Sequence, residues 1–251
     1  MMKRQTWILL AAVLVFSLAL TACSSGGGEK VTVATDATWP PFEMVDETTK
    51  EIIGFDIDLM KAIAEKGGFE VEFVNVGFDP LLAGMASCQY DAAISAITIT
   101  EERKADFAFS GPYFGAGQVV VVRVDNTDIS GKDSLGGKTV GAQIGTTGAI
   151  AIEDVSGATL KTYDDVGLAF QDLINGQVDA VVADDGLAKG YVAKNSAEIK
   201  IAGDPFTDES YGIAVCKTNT DLLDKINKGL EAVKGEGLLD QLTQKWLVGE
   251  G

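Results

Sequence analysis

The sequence predicts an α/β protein of two similar lobes, each a mostly parallel sheet flanked by helices, and three observations lead there. Short β-branched and apolar runs alternate with amphipathic stretches from residue 31 onward, as successive strand and helix units require. The segment LLAGMASCQYDAAISA (81–96) is echoed by FQDLINGQVDAVVAD (170–184), each passing from a helical stretch through Gln to Asp-Ala and an apolar run. Two such lobes would each place binding loops at the carboxyl ends of their strands. Finally, YDAAISAITITEERK (90–104) begins with a nearly continuous apolar run, Ala92 to Ile97, which suits a strand buried on both faces. It then turns into a helix start: Thr100 can cap, Glu101 and Glu102 suit the first turn, and Arg103 follows. A buried strand that empties into a helix N-terminus can gather backbone N–H groups, threonine hydroxyls and a guanidinium around a carboxylate. An ordinary capped helix with a surface arginine is the alternative.

The remaining elements follow in order. Val31 to Asp36 reads as a strand ending on an acid. Trp39-Pro40-Pro41-Phe42-Glu43 follows as a rigid, extended loop, because the two prolines interrupt helix and strand alike. A helix is expected over 54–66, where Phe55, Ile57, Leu59, Met60, Ile63 and Ala64 have helical spacing, with Gly67 and Gly68 ending it. A strand over 70–76 precedes Phe78-Asp79-Pro80, which opens a helix over 81–86. After the central stretch, SGPYF (110–114) breaks the pattern. Residues 118–124 are strongly β-forming and 138–143 read as a strand, with Gly145-Thr146-Thr147-Gly148 a turn before a helix over 149–153. A strand over 160–163, a helix over 165–175 and a buried strand over 178–183 lead to Asp184 and Asp185. A helix over 186–194, strands over 199–202 and 210–216, and helices over 221–234 and 237–246 close the chain.

The start of the chain bears on its compartment. Lys3 and Arg4 precede an apolar run from Trp7 to Leu20, and Thr21, Ala22 and Cys23 follow. This is a secretory signal over 1–22, and the run is shorter than the ~20 residues a membrane span needs. It resembles the bacterial lipobox, which implies cleavage before Cys23 and diacylglycerol on its thiol. Residues 23–29 then form a flexible, lipidated tether, and the expected location is extracytoplasmic, periplasm or cell surface, with a lipid anchor to the bacterial membrane. The chain carries 20 Lys+Arg against 37 Asp+Glu. Such a charge repels phosphate backbones and excludes nucleic acid as a partner; it favours the approach of small cations, and simple solubility explains it equally well. With no histidine and three cysteines, Ser-His-Asp and Cys-His nucleophiles are excluded, and neither a metal site nor a cofactor is expected. Cys23 aside, Cys88 and Cys216 stand in a setting where disulfides persist.

Asp36 with WPPFE, then GFDIDL, GFDP, AITITEERK, GTTG and DAVVAD resemble, in this order, the amino-acid-binding members of the periplasmic solute-binding proteins that serve ABC importers. The resemblance covers essentially the whole mature chain. It implies the two-lobed periplasmic-binding-protein fold of type II, with lobe one over 30–113 plus 212–251, lobe two over 118–207, and hinge strands at 114–117 and 208–211. It further implies a non-enzymatic, monomeric protein that closes over a free amino acid and delivers it to a permease.

Residue by residue, the resemblance assigns Arg103 to a bidentate pair with the ligand α-carboxylate. Thr98 adds its hydroxyl and N–H, Thr147 a donor from the opposite lobe, and Asp184 the acceptor for the α-ammonium group. Taken alone, Asp184 could equally be a helix N-cap. Trp39 and Phe78 flank the ligand side chain, and Ala96 and Gln143 complete the set. Asp36 matches a position that accepts from a guanidinium, an ammonium or an amide. Glutamine-binding members have His before the ammonium-binding Asp and Lys where Gln143 stands, whereas Ala183 precedes Asp184 here. The GFDP, GTTG and GPYF segments look closer to binders of basic amino acids, so arginine, lysine or histidine is the expected ligand and glutamine the alternative. A buried, unpaired Asp36 would be costly beside an apolar ligand. The family's topology also brings Cys216 near Cys88, as a disulfide or as two buried thiols. A ligand sensor and a dehydratase on the same architecture remain open, with Glu43 and Asp79 as formal acid/base candidates.

Overall fold

The computed structural model describes residues 29–248; the expected signal sequence, the expected lipid site at Cys23 and nearly all of the tether expected before Glu29 lie outside them. The first lobe is built on β1 (Glu29–Thr35), whose inward residues Val31 and Val33 are buried. It runs parallel to β5 (Phe69–Asn75) on one side and to β6 (Ala92–Ala93) on the other. Strand β15 (Ala214–Val215), antiparallel to β6, and then β7 (Ala108–Phe109), antiparallel to β15, complete the order β5-β1-β6-β15-β7. The second lobe repeats the plan around β10 (Thr139–Gln143), parallel to β11 (Thr159–Tyr163) and β12 (Ala180–Asp184). Here β9 (Gln118–Arg123) is antiparallel to β12, and β13 (Ile199–Ala202) is antiparallel to β9, which gives β11-β10-β12-β9-β13.

The helices form where apolar spacing and caps agree. Helix α1 (Phe55–Gly67) buries Phe55, Leu59, Met60 and Ile63 and ends at Gly68 in the left-handed region, where glycine has no steric penalty. Helix α2 (Phe78–Ala86) carries Phe78 at its start, and α3 (Glu101–Asp106) is capped by the Thr100 hydroxyl on the Arg103 N–H. In the second lobe Thr146 caps α4 (Thr147–Glu153) and Asp165 caps α5 (Val166–Ile174). Helix α6 (Asp185–Lys194) leaves directly from β12, and Asn219 caps α7 (Thr220–Gly235), which packs on α1 before the short α8 (Leu238–Thr243).

Three stretches depart from the sequence-based expectation. The central strand, expected over 92–97, is reduced to Ala92–Ala93, because Ala96 has φ +46° and gives its N–H to the Asp56 carboxylate at 2.8 Å. The segment around the two prolines is a small antiparallel sheet in which β2 (Thr38–Trp39) pairs with β3 (Glu43–Val45), and β3 with β4 (Ile52–Ile53). Pro40 and Pro41 occupy the connection, where missing N–H groups cost the ladder nothing. The strand expected over 210–216 is split: β14 (Glu209–Tyr211) pairs with β8 (Phe114–Ala116) in a two-stranded ribbon, and after Gly212 and Ile213 the chain re-enters the first sheet as β15. Cys88 and Cys216 form a disulfide with a Cα separation of 5.1 Å, joining the end of α2 to the end of β15.

Gly54 sets how α1 meets the proline segment. Its φ is +139°, and a Cβ there would lie 2.1 Å from the Phe42 carbonyl oxygen. The neighbouring N–H groups of Phe55 and Asp56 donate to the carbonyls of Pro41 and Phe42 at 3.0 and 2.9 Å. Gly54→Ala is therefore expected to destabilise the protein by at least about 2 kcal/mol in urea unfolding; a change below about 0.5 kcal/mol would contradict this close approach.

Candidate functional site

The site lies where the carboxyl ends of the two parallel sheets face each other. From the first lobe, the turn after β6 delivers Thr98, and the first turn of α3 delivers Arg103. Arg103 is only 8 % exposed, and two of its five N–H donors are engaged: Nη1 donates to the Thr98 carbonyl at 2.7 Å, and Nη2 to the Gly145 carbonyl of the second lobe at 2.9 Å. Among the described residues no carboxylate lies within 4.0 Å of the guanidinium. Burial lowers its pKa, while Asp184, Glu209 and Glu102 at longer range oppose that shift. A desolvated cation without a close counter-charge is costly, and a bound carboxylate would relieve that cost. The convergence expected from sequence is only partly present: the Thr100 hydroxyl is spent on the Arg103 N–H, and the Thr98 hydroxyl on Glu209 at 2.8 Å.

The second lobe supplies the opposite charge. Asp184 stands at the N-cap position of α6 yet makes no side-chain cap bond. Its oxygens accept instead from Gln118 Nε2 at 2.8 Å and from the Tyr211 hydroxyl at 2.7 Å, so the helix-cap alternative does not hold. Asp184 is 2 % exposed and, like Arg103, has no oppositely charged group within 4.0 Å among the described residues. Thr147 opens α4, and its hydroxyl donates to Glu209 at 2.8 Å.

Asp36 sits past the end of β1 with Trp39 and Gln143. Its carboxylate accepts from the Thr38 hydroxyl at 2.9 Å and from Gln143 Nε2 at 2.7 Å, and Gln143 Oε1 in turn accepts from the Trp39 indole. The buried, unpaired Asp36 expected from sequence is thus hydrogen-bonded twice, which weakens the argument built on its being unpaired. Burial nonetheless raises its pKa, against the lowering effect of those two bonds, and no cation is within 4.0 Å among the described residues. The Trp39 and Phe78 rings are nearly parallel, 25° apart with centroids at 6.4 Å, and the guanidinium carbon of Arg103 lies 5.4 Å from the Phe78 centroid. Of the residues expected from sequence, Ala96 contributes differently: its N–H belongs to Asp56, which leaves its carbonyl as the group it can offer.

Sequence reasoning missed the shell behind these groups. Ser95 accepts from the Asp36 N–H and donates to Glu43, each at 3.0 Å. Asp56 accepts from the Ala96 N–H at 2.8 Å and from the Tyr113 hydroxyl at 2.7 Å. Glu43 Oε2 and Asp56 Oδ1 are buried without another donor, and burial pushes both acids up, Glu43 the further with Asp56 beside it. Glu43 spends Oε1 on the Ser95 hydroxyl, which itself holds the Asp36 N–H, so it supports the site from behind. Gln118, Glu209 and Tyr211 were missed as well; only their place at the ends of the strands flanking the break in the pattern hinted at them.

Comparison with known proteins gives a consistent picture. Residues 31–249 match the model of the bacterial extracellular solute-binding proteins, family 3. An ABC transporter arginine-binding protein of Escherichia coli (strain K12) is 35% identical over 241 residues, covering 93% of this chain and 97% of that protein. An ancestral arginine-binding protein solved with arginine bound superposes with a TM-score of 0.83 at 46% identity, covering 86% of this chain and 97% of that one. A structure of an ancestral arginine-binding protein bound to glutamine gives the same TM-score, 0.83, at 45% identity, covering 88% and 98%. The family is one of solute-binding proteins, not enzymes.

The charge of Asp184 yields a pH prediction that needs no ligand. Burial, with a further push from Glu209, raises its pKa to about 7 despite the bonds from Tyr211 and Gln118 and the Arg103 charge. A carboxyl raised on folding contributes stability that is full below its unfolded value, near 4, and is lost as pH rises through the folded value. Asp184→Asn abolishes that loss. The melting temperature of the variant relative to the unsubstituted protein should therefore climb from about pH 5 to about pH 8 in the absence of ligand; a flat or falling difference would contradict the assignment.

Proposed function

The chain belongs to family 3 of the bacterial extracellular solute-binding proteins, and we propose that it clamps a free basic amino acid, arginine, lysine or histidine, between its lobes for delivery to an ABC importer. The observation that carries this reading is the buried pair of unmatched charges: Arg103 on the first lobe and Asp184 on the second, neither with a counter-ion within 4.0 Å among the described residues. A zwitterion supplies both missing partners at once. Its α-carboxylate meets the remaining donors of Arg103 and the backbone N–H groups of Thr98 and Thr147, and its α-ammonium meets Asp184 and the Ala96 carbonyl. The side chain runs between Trp39 and Phe78 toward Asp36 and Gln143. Because these groups come from both lobes, ligand favours the closed form by the contacts the open form lacks.

A cationic side chain suits this site because Asp36 is buried without a cation of its own. The 35% identical Escherichia coli relative is named for arginine binding, in keeping with this choice. Glutamine is the second reading, and a specific observation favours it: Asp36 already takes a carboxamide N–H, that of Gln143, at 2.7 Å. A ligand amide can make the same contact. The lobe division that goes with the proposal is 30–113 plus 212–251 and 118–207, with hinges at 114–117 and 208–211, supported by the ribbon that β8 and β14 form between the two sheets. Lipid attachment at Cys23, a monomeric state and a permease partner complete the proposal, resting on the signal sequence and the family's role.

Arg103→Ala should lower the affinity for every amino acid bound by at least about 3 kcal/mol, because it leaves the ligand carboxylate buried and unpaired. Asp36→Asn should weaken arginine and lysine by about 2 kcal/mol while changing glutamine by less than about 0.5 kcal/mol. Calorimetric titration of refolded, ligand-stripped protein reads both. Equal losses for arginine and glutamine in Asp36→Asn would reject Asp36 as the acid that selects a cationic side chain.

A further inference from the structure

We infer that Glu209 is the latch of the clamp, a carboxylate on the hinge ribbon that ties the two lobes together beside the carboxylate seat and thereby sets how long ligand stays bound. A single oxygen, Oε2, accepts from the Thr98 hydroxyl of the first lobe and from the Thr147 hydroxyl of the second, each at 2.8 Å. The other oxygen accepts from the Thr207 hydroxyl at 2.8 Å. Glu209 itself rides on β14, whose partner β8 is the other strand of the ribbon, so its backbone belongs to neither sheet. An oxygen at bonding distance from hydroxyls on two separate lobes keeps both only while the lobes are together. Opening breaks at least one of these charge-assisted bonds.

The latch does not occupy the place of the ligand. Each threonine has one hydroxyl proton, and both are spent on Glu209, but the N–H groups of Thr98 and Thr147 have no acceptor among the described residues. Those N–H groups remain for a bound carboxylate. Arg103 likewise has no bond to Glu209 within 4.0 Å, so the guanidinium also stays available. Gln118 connects the latch to the amine side: its Nε2 lies 3.1 Å from the Thr147 hydroxyl and 2.8 Å from Asp184. Glu209 is thus a positioning residue that acts through two threonines without touching ligand.

The inference rests on the reading of Arg103, Thr98 and Thr147 as the seat of the ligand carboxylate, and stopped-flow binding of arginine to the purified protein tests the two separately. Glu209→Ala should raise the dissociation rate about tenfold and leave the association rate within about twofold. Thr147→Val, which removes the second-lobe end of the same bridge and keeps the N–H, should do the same. Glu209→Gln should recover most of the loss, because an amide oxygen still accepts from both hydroxyls; a general packing defect would show neither the rate split nor the recovery. Arginine released from Glu209→Ala at the unsubstituted rate overturns the latch, as does slower release, which would make Glu209 a competitor of the ligand. If Arg103→Ala binds as tightly as the unsubstituted protein, the seat itself is misassigned; if it does not bind and Glu209→Ala is normal, the latch alone fails.

Discussion

A guanidinium buried without a close counter-charge is the constraint to which the rest of this site answers. Arg103 is held by carbonyl oxygens from both lobes, Thr98 at 2.7 Å and Gly145 at 2.9 Å, and these dipoles fix its position without neutralising it. Across the cleft Asp184 is treated the same way, held by a tyrosine hydroxyl and a glutamine amide. Had the two been paired directly, the protein would have satisfied itself and left nothing for a ligand. Their separation is stored binding capacity: each is costly alone, and a molecule carrying an anion and a cation at the right spacing relieves both.

The surrounding network keeps these charges in place. Thr98, Thr147, Glu209, Gln118, Asp184 and Tyr211 form one hydrogen-bonded chain that crosses from lobe to lobe beside the two-stranded ribbon of β8 and β14. Asp36, Gln143 and Trp39 form a second crossing at the other end of the cleft. Behind them the buried Glu43 and Asp56 grip Ser95 and Ala96, which explains how a non-glycine residue is kept at φ +46°. Left-handed backbone at alanine is unfavourable, and the Asp56 carboxylate on its N–H supplies a compensating bond. The turn that presents Thr98 is therefore rigid for reasons that lie outside the cleft.

Much of this was legible in the sequence, and the limits have physical causes. Arg103 and Thr98 could be singled out because a buried strand followed by cap residues is a local signal, written within a dozen residues, whereas Asp184 was assigned through the family resemblance, its own residues reading equally as a helix cap. The alternation of strands and helices was legible for the same reason, and the strand and helix boundaries shifted by only a few residues where caps such as Thr146 and Asp165 pulled a helix start. Glu209 was not legible as a site residue, since its partners lie 111 and 62 residues away and its place in the expected hinge strand at 208–211 says nothing of where its carboxylate bonds. The break at Ala96 was hidden because nothing about an alanine between serine and isoleucine marks positive φ; only Asp56, 40 residues earlier, forces it. The Trp39 hairpin was masked by prolines that turned out to sit in the connection.

The most direct test of the account is proton release on arginine binding, measured by calorimetry in buffers of different ionisation enthalpy. Burial raises the Asp184 pKa to about 7, and an ammonium group placed beside it must lower that value. The account predicts that at about pH 6 binding releases a proton, that the release vanishes by about pH 8.5, and that affinity falls as pH drops below 7 because the protonated acid must first ionise. Asp184→Asn should remove the release altogether. Tight binding at about pH 6 with no proton exchanged in any buffer would mean that Asp184 does not receive the ammonium group, and that the charge pair facing across the cleft is not the device that recognises the ligand.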